Sequence, residues 1–287
     1  MHEVILGACI GRGGNGEIHR GYFKETNKKC IIKKVGKGRM AYSQLKNEGR
    51  ILKFLGEAGF NGAPALYGEC DDALIMEEIY GEALDQLAVY RMSESELKAL
   101  FINMTKIVSG LHGIKPPVIH RDIKPSNIMM DKSGRLIFID FGTAKILYGF
   151  GQENKDIKSG IMAAGTKGYA APEQYGGLGS ESFQADIYQL GKTMEKLLDK
   201  SCVSGRFELD MRNVIRRCCR PDALERYISA DDVRKDLLGV RTHKNYKILR
   251  NVFWIIRTGV FRRRREIAHD GDIFIDIVRT YDTIEFL

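Results

Sequence analysis

Glycine lets a backbone come close to a charged ligand, and Gly11-Arg12-Gly13-Gly14-Asn15-Gly16-Glu17-Ile18 spaces its glycines as G-x-G-x-x-G between two strand-like runs. Such a loop can present N–H groups to a polyphosphate without side chains in the way, although plain hairpin turns share the spacing. A dinucleotide-binding loop is disfavoured, because the residues after Gly16 alternate as a strand instead of opening a helix. Seventeen residues beyond Gly16, Cys30-Ile31-Ile32-Lys33 ends an apolar strand in a lysine, and Glu48 follows in a helical stretch. Alone, Lys33 could be a solvated surface residue. A lysine that must meet phosphates needs a carboxylate to hold its flexible stem, and Glu48 is suitably placed. Lys34 should point to the opposite face of the strand.

His120-Arg121-Asp122-Ile123-Lys124-Pro125-Ser126-Asn127 comes next, with Asp140-Phe141-Gly142 thirteen residues after Asn127 and Ala171-Pro172-Glu173 beyond it. Taken in order with the glycine loop and Lys33, these segments make the chain resemble the protein kinases over about residues 5 to 240. Asp186 in D-I-Y-Q-L-G and Arg226 in P-D-A-L-E-R-Y match later landmarks of that family, and the resemblance pairs Glu173 with Arg226. The wording HRDIKPSN with GTKGYAAPEQY is most similar to bacterial serine/threonine kinases. Lys124, two residues after Asp122, favours Ser and Thr hydroxyls over tyrosine. The departures from the family pattern are mild: Ile18 where valine is commoner, and Asn15 at the loop tip.

The resemblance implies an α+β, two-lobed protein-kinase-like fold. A small antiparallel-sheet N-lobe with one main helix would cover about residues 1–78, a larger, mostly helical C-lobe about 79–240, and a basic, aromatic extension 241–287. It implies transfer of the γ-phosphoryl group of ATP to Ser/Thr hydroxyls of protein substrates, with autophosphorylation of the activation loop. Gly11, Gly13, Gly14, Gly16 and Ile18 would cover the nucleotide. Lys33, held by Glu48, would bind its α and β phosphates. Asp140 and Asn127 would hold Mg²⁺, with Mn²⁺ the alternative ion. Asp122 would take the substrate hydroxyl's proton while Lys124 neutralises charge on the γ-phosphoryl group. Adenine would lie beside Met76, the expected gatekeeper, with backbone groups of Glu77 to Ile79 reading its edge.

Regulation follows the same likeness. Arg121 before Asp122 is typical of kinases whose activation loop is ordered by phosphorylation, and Ser159 is the expected site. Thr166 in G-T-K-G-Y would contact Asp122 and Lys124 and shape the substrate platform, or else be a turn residue. A pseudokinase scaffold normally lacks at least one of Lys33, Glu48, Asp122, Asn127 and Asp140. A small-molecule phosphotransferase of related fold fits less well with Lys124, Thr166 and the Ala171-Pro172-Glu173 platform.

The elements that must position these residues are legible in the periodicity. ILGACI, EIHRGYF and KCIIKKV read as an antiparallel meander, followed by a helix over 40–56. ALYGEC and ALIMEEI suggest two more strands, after which EALDQL turns helical. Leu97, Leu100, Phe101, Met104, Ile107, Val108 and Leu111 form a 3, 4, 3 stripe with Ser93 or Ser95 as N-cap and Gly113 as stop. NIMM and RLIFID flank a DKSG turn, a loop of some thirty residues leads to Pro172, and helices are expected at 185–198, 210–219 and 230–238. His120, Phe141 and Leu52 should form an internal apolar stack. Cys218 and Cys219 read as packed helix residues, with redox sensing the alternative.

With 287 residues, 44% hydrophobic and 29% charged, the chain can bury a core, and wholesale disorder or a disulfide scaffold is excluded. The six cysteines show no C-x-x-C spacing, and no apolar run approaches a bilayer span, so the cytoplasm is the expected location. The net charge of +8 sits in one place. Residues 241–265 hold nine of the 45 Lys and Arg and no Asp or Glu, leaving 36 basic against 37 acidic residues elsewhere. Charge therefore does not direct the main body to nucleic acid. In the basic segment, Val252, Phe253, Trp254, Ile255 and Ile256 beside the arginines suit peripheral contact with an anionic membrane, or a helix packed on the C-lobe or a partner protein, with nucleic-acid contact the third alternative. The last 22 residues carry −5, and Asp272-Ile273-Phe274-Ile275-Asp276-Ile277 could pair as a strand.

Overall fold

Period-two alternation builds the first layer. The computed structural model describes residues 3–13, 16–148, 165–175 and 182–242. Within them, β1 (Val4–Gly13), β2 (Gly16–Phe23), β3 (Lys29–Val35), β4 (Leu66–Glu69) and β5 (Ala73–Glu77) form one antiparallel sheet in the order β1-β2-β3-β5-β4. On β3, Cys30 and Ile32 join Ala73 in a small apolar cluster, whereas Ile31 and Val35 pack against the main core. Lys33 lies between those two on the strand's period of two, which carries it to the main-core side. Gly16 has φ 140°, and a Cβ there would lie 1.9 Å from the Lys34 carbonyl oxygen, so the turn back into β2 requires glycine.

Helix α1 (Arg39–Glu57) lays Leu45, Ile51, Leu52 and Leu55 on the sheet, with Asn47 and Glu48 buried in the same face. Where EALDQL reads as helical, the structure instead has strand β6 (Gly81–Ala83), an irregular turn and a short 3-10 segment at Val89–Arg91. Tertiary pairing overrides local propensity there. Residues 81–83 pair with β8 (Ile128–Asp131), Leu84 is fully buried, and three residues are too few to nucleate a helix.

Helix α2 (Glu94–Gly113) begins at Ser93, whose hydroxyl accepts from the Glu96 N–H at 3.3 Å while the Glu96 carboxylate accepts from the Ser93 N–H at 2.8 Å. This reciprocal cap stabilises the start by about 1 kcal/mol. Leu97, Leu100, Phe101, Met104, Val108 and Leu111 are all buried, and Ile107 partly so. Strands β7 (Val118–Ile119), β9 (Leu136–Phe138) and β10 (Lys145–Ile146) follow, with β6-β8-β9 forming one small sheet and β7-β10 another.

The rest is helical: α3 (Pro172–Tyr175), α4 (Phe183–Lys200), α5 (Gly205–Cys218) and α6 (Ala230–Gly239). Helix α5 starts five residues ahead of the expected 210, because Phe207 is drawn into the core. Gly191 lets α5 close on α4, since a Cβ there would lie 2.5 Å from the Cys218 Cβ. Burial raises the Cys218 thiol well above its ordinary value and the Cys219 thiol to about 12, so neither supplies the thiolate that redox sensing needs. Gly14, Asn15, Ser159 and everything from residue 243, including most of the basic segment, lie outside the described residues.

Candidate active site

Two clusters of charged side chains carry the candidate chemistry. In the first, Lys33 Nζ lies 2.5 Å from Glu48 Oε2 and 2.9 Å from Asp140 Oδ1, joining a strand, a helix and the segment after β9. Lys33 is only 8% exposed, a level at which an unpaired ammonium is rarely tolerated. Burial acts to lower its pKa, but Glu48 and Asp140 outweigh that and raise it. For Asp140, burial acts upward and Lys33 outweighs it, so the carboxyl titrates below its ordinary value. Glu48 is raised by burial and by Asp140, against Lys33 and the Phe141 N–H. Asp140 has φ 61°, a conformation costing about 1–3 kcal/mol that the ion pair to Lys33 helps to hold.

The second cluster surrounds Asp122. Its Oδ2 accepts from Lys124 Nζ at 2.8 Å and Asn127 Nδ2 at 3.0 Å, and its Oδ1 from the Thr166 N–H at 3.0 Å and hydroxyl at 2.8 Å. Lys124 Nζ also donates to Thr166 Oγ1 at 2.7 Å. Thr166 therefore meets both residues that the resemblance assigns to it. Asn127 spends its amide N–H₂ on Asp122, whose backbone oxygen it also reaches at 2.9 Å, which leaves Oδ1 as the end able to meet a cation.

Helix α4 pins the loop that carries Asp122. Asp186 accepts from the N–H groups of His120 at 2.9 Å and Arg121 at 2.8 Å and contacts His112 at 2.9 Å. Burial would raise the Asp186 carboxyl, but His112 and those amides hold it below its ordinary value. One turn on, Gln189 accepts from the Ile123 N–H at 2.8 Å and donates to the Arg121 oxygen at 2.7 Å, and Thr193 donates to the Ile123 oxygen at 3.2 Å. Gln174 reaches the same Arg121 oxygen at 3.1 Å. Arg121 itself has φ 68°.

Gln174, Gln189 and Thr193 are absent from the sequence reading, as is Asn47, whose amide donates to the carbonyls of Gly142 at 3.0 Å and Ala144 at 2.9 Å. A signal was present: 186, 189 and 193 fall at helical spacing on the buried face of α4, where a polar side chain must have a partner. The His120 and Phe141 rings lie 4.7 Å apart, and Leu52 is buried in the core cluster that holds Phe141. Arg226, its side chain fully buried, forks onto Glu173 at 2.7 and 2.9 Å.

On the glycine-rich hairpin, Gly11 pairs with Ile18 and Gly13 with Gly16. A Cβ at Gly13 would meet nothing within 4 Å and one at Gly11 only the Ile18 side chain at 3.7 Å, so packing demands neither glycine. Their bareness leaves a strip of backbone open to a ligand, which fits a nucleotide. Met76 is buried against the core beside Ile31 and Leu66 in register. The Glu77 N–H donates to the Ala65 oxygen at 2.9 Å and is thereby taken.

The chain matches the protein kinase domain family profile over residues 5–238. It is similar to a probable LRR receptor-like serine/threonine-protein kinase of Arabidopsis thaliana, 30% identical over 68% of this chain and 18% of that protein. It is also similar to serine/threonine-protein kinase F of Synechocystis sp., 33% identical over 58% of this chain and 36% of that protein. With CBL-interacting serine/threonine-protein kinase 21 of Arabidopsis thaliana it shares 28% identity over 67% of this chain and 46% of the relative. The chain thus spans less than half the length of these curated relatives. Among the described residues no helix is long and apolar enough to cross a membrane.

Proposed function

The chain belongs to the protein kinase family, and from that premise we propose that it phosphorylates Ser and Thr hydroxyls of protein substrates at the expense of ATP. The observation that carries this reading is the joint occupation of Asp122 by Lys124, Asn127 and Thr166, opposite the Lys33–Glu48–Asp140 cluster.

Phosphoryl transfer has a loose transition state, so positioning and charge carry the rate. Lys33, braced by Glu48, holds the α and β phosphates under the bare backbone of Gly11 and Gly13. Asp140 and the Asn127 Oδ1 are hard oxygen donors suited to Mg²⁺ or Mn²⁺, which supplies neutralisation of phosphate charge when bound. An Asp122 carboxylate oxygen accepts the proton of the incoming Ser or Thr hydroxyl as its oxygen bonds the γ phosphorus. The bond from that phosphorus to the β-bridging oxygen breaks, and ADP departs. Lys124, fixed by Thr166, stays beside the γ oxygens where negative charge builds.

Finer readings belong with this proposal. Phosphorylation at Ser159 orders the activation loop through Arg121, and residues 241–265 contact anionic lipid or a partner protein at the cytoplasmic face in a signalling role. Radiolabelled ATP with purified chain and a generic acceptor should label Ser or Thr residues, and Asp122→Asn should abolish the label. Absence of label from folded, nucleotide-binding protein would remove the reading. Pelleting with anionic but not neutral vesicles checks the lipid contact.

A further inference from the structure

Cys9 on β1 stands directly opposite His19 on β2, and Glu17 precedes His19 by two residues, which puts it on the same face. Register shifts flank Cys9 on both sides, and such irregularities re-aim a side chain. One ligating atom from each of Cys9, Glu17 and His19 lies within 4.8 Å of the others, the one such group among the described residues. No step of the proposed transfer uses these side chains.

The imidazole of His19 is held between two groups that can only accept. Its Nδ1 is 3.4 Å from the Gly7 carbonyl oxygen and its Nε2 is 3.0 Å from Glu17 Oε2. The short Nε2–Oε2 contact is met either by an Nε2–H given to Glu17 or, with Nδ1–H given to the carbonyl, by a cation between the Nε2 lone pair and the carboxylate. A proton can serve, and so can a metal ion; a backbone carbonyl holding the other ring N–H is the usual support of a metal-bound histidine. Arg12 Nε, 3.2 Å from Glu17 Oε1 on a side chain 74% exposed, is a second cation at the same carboxylate and also interacts with the Cys9 side chain.

We propose that Cys9, Glu17 and His19 bind one zinc-class divalent ion that displaces Arg12 and clamps β1 to β2 at the base of the glycine-rich hairpin. A thiolate, an imidazole and a carboxylate are the donor set of zinc and not of the hard ions that Asp140 and Asn127 suit. Bond lengths of about 2.0–2.3 Å require tetrahedral donors roughly 3.3–3.8 Å apart, so His19 and Glu17, now 3.0 Å apart, open by a few tenths of an ångström, the Cys9 sulfur moves within the same range, and water completes the shell. The Cys9 thiol gives up its proton and its 3.4 Å contact with the Gly11 oxygen on binding. The site stands independently of the catalytic reading.

The test uses the full chain, untagged, reduced and stripped with chelator, titrated with Co²⁺ and then Zn²⁺. One equivalent of Co²⁺ should produce a thiolate-to-cobalt charge-transfer band that Zn²⁺ bleaches. Cys9 is exposed, so Cys9→Ser keeps the fold. It should lose the band and bind Zn²⁺ at least about 10-fold more weakly, since loss even of an outer partner of a ligand costs 10- to 100-fold. Arg12→Ala should tighten binding, and Cys70→Ser, at an exposed thiol elsewhere, should change nothing. A band that survives Cys9→Ser, or equal Zn²⁺ affinity in wild type and Cys9→Ser, overturns the proposal.

Discussion

The two halves of the cleft are held in opposite ways. Lys33, Glu48 and Asp140 come from three separate elements and are fixed by attraction between their own side chains, so the chemistry and the scaffold are the same bonds. Asp122 is fixed chiefly through its backbone, by Asp186, Gln189 and Thr193 reaching from α4 to residues 120–123. Its carboxylate is oriented afterward by Lys124, Asn127 and Thr166. A change on the Lys33 side should thus alter stability and nucleotide binding together, whereas a change at the Asp122 carboxylate should alter turnover far more than stability.

The largest effect is expected from Asp122→Asn. It keeps shape and removes the proton acceptor, so kcat should fall by about 10² to 10⁴. Nucleotide affinity should stay near wild type and the thermal midpoint should fall only modestly, because the loop's backbone clamp is untouched while one oxygen's pair of donors loses its acceptor. Equal losses of stability and activity would erase the contrast between the halves.

On the other side, Glu48→Ala leaves the Lys33 ammonium buried with Asp140 alone. Breaking a buried pair costs about 3–5 kcal/mol, and the surviving partner places this case near the lower end. Denaturant unfolding should show that loss together with weaker ATP binding. Replacing Lys33 and Glu48 jointly by methionine should recover only part of the stability and none of the activity, since the buried ammonium is gone but Asp140 loses its cation. If the double variant is as unstable as the single one, the cluster is not the scaffold described here.

How far the site could be read from sequence follows the same division. Lys33, Asp122, Asn127 and Asp140 stand in short motifs where residue type and spacing are local, and the structure pairs Lys33 with Asp140 and Asn127 with Asp122. Asn47, Gln174, Gln189 and Thr193 act on backbone far away in the chain, and no local pattern announces a partner at such a distance. They are recognisable only as polar residues in the buried register of a helix or turn, which says that a partner exists without saying which. EALDQL fails for a related reason: its composition favours a helix, but pairing of Gly81–Ala83 with β8, distant in sequence, decides the outcome.

Gln189→Ala tests the backbone clamp at a middle scale. It strips the Ile123 N–H and the Arg121 carbonyl of a partner, costing about 1–3 kcal/mol in stability. The displaced loop should lower kcat by roughly 10- to 100-fold while the KM for ATP, set on the Lys33 side, holds. A raised KM with unchanged kcat would mean that α4 braces the nucleotide half instead.

The smallest effect is one of pH, and it separates His120 from the carboxylates on either side. His120 is fully buried against Phe138 and Phe141, and burial disfavours its charged form, so its folded pKa lies below the ordinary histidine value. Below pH about 6.5 the unfolded chain takes up a proton that the folded one refuses, so stability falls as pH drops, at a limiting slope of about 1.4 kcal/mol per pH unit for one group. Asp140 and Asp186 have lowered values, so their contribution is present above the ordinary carboxylate range and is lost only as pH falls through their folded values. His120→Phe keeps an aromatic ring in the stack and removes the histidine's share. Denaturant midpoints measured between pH 7.5 and 5 should decline less in the variant than in wild type and converge with it in slope below the carboxylate range. Identical slopes at pH 5 to 6.5 would show that the ring is charged in place, and that the Asp122 loop rests on a cation as the Lys33 half does.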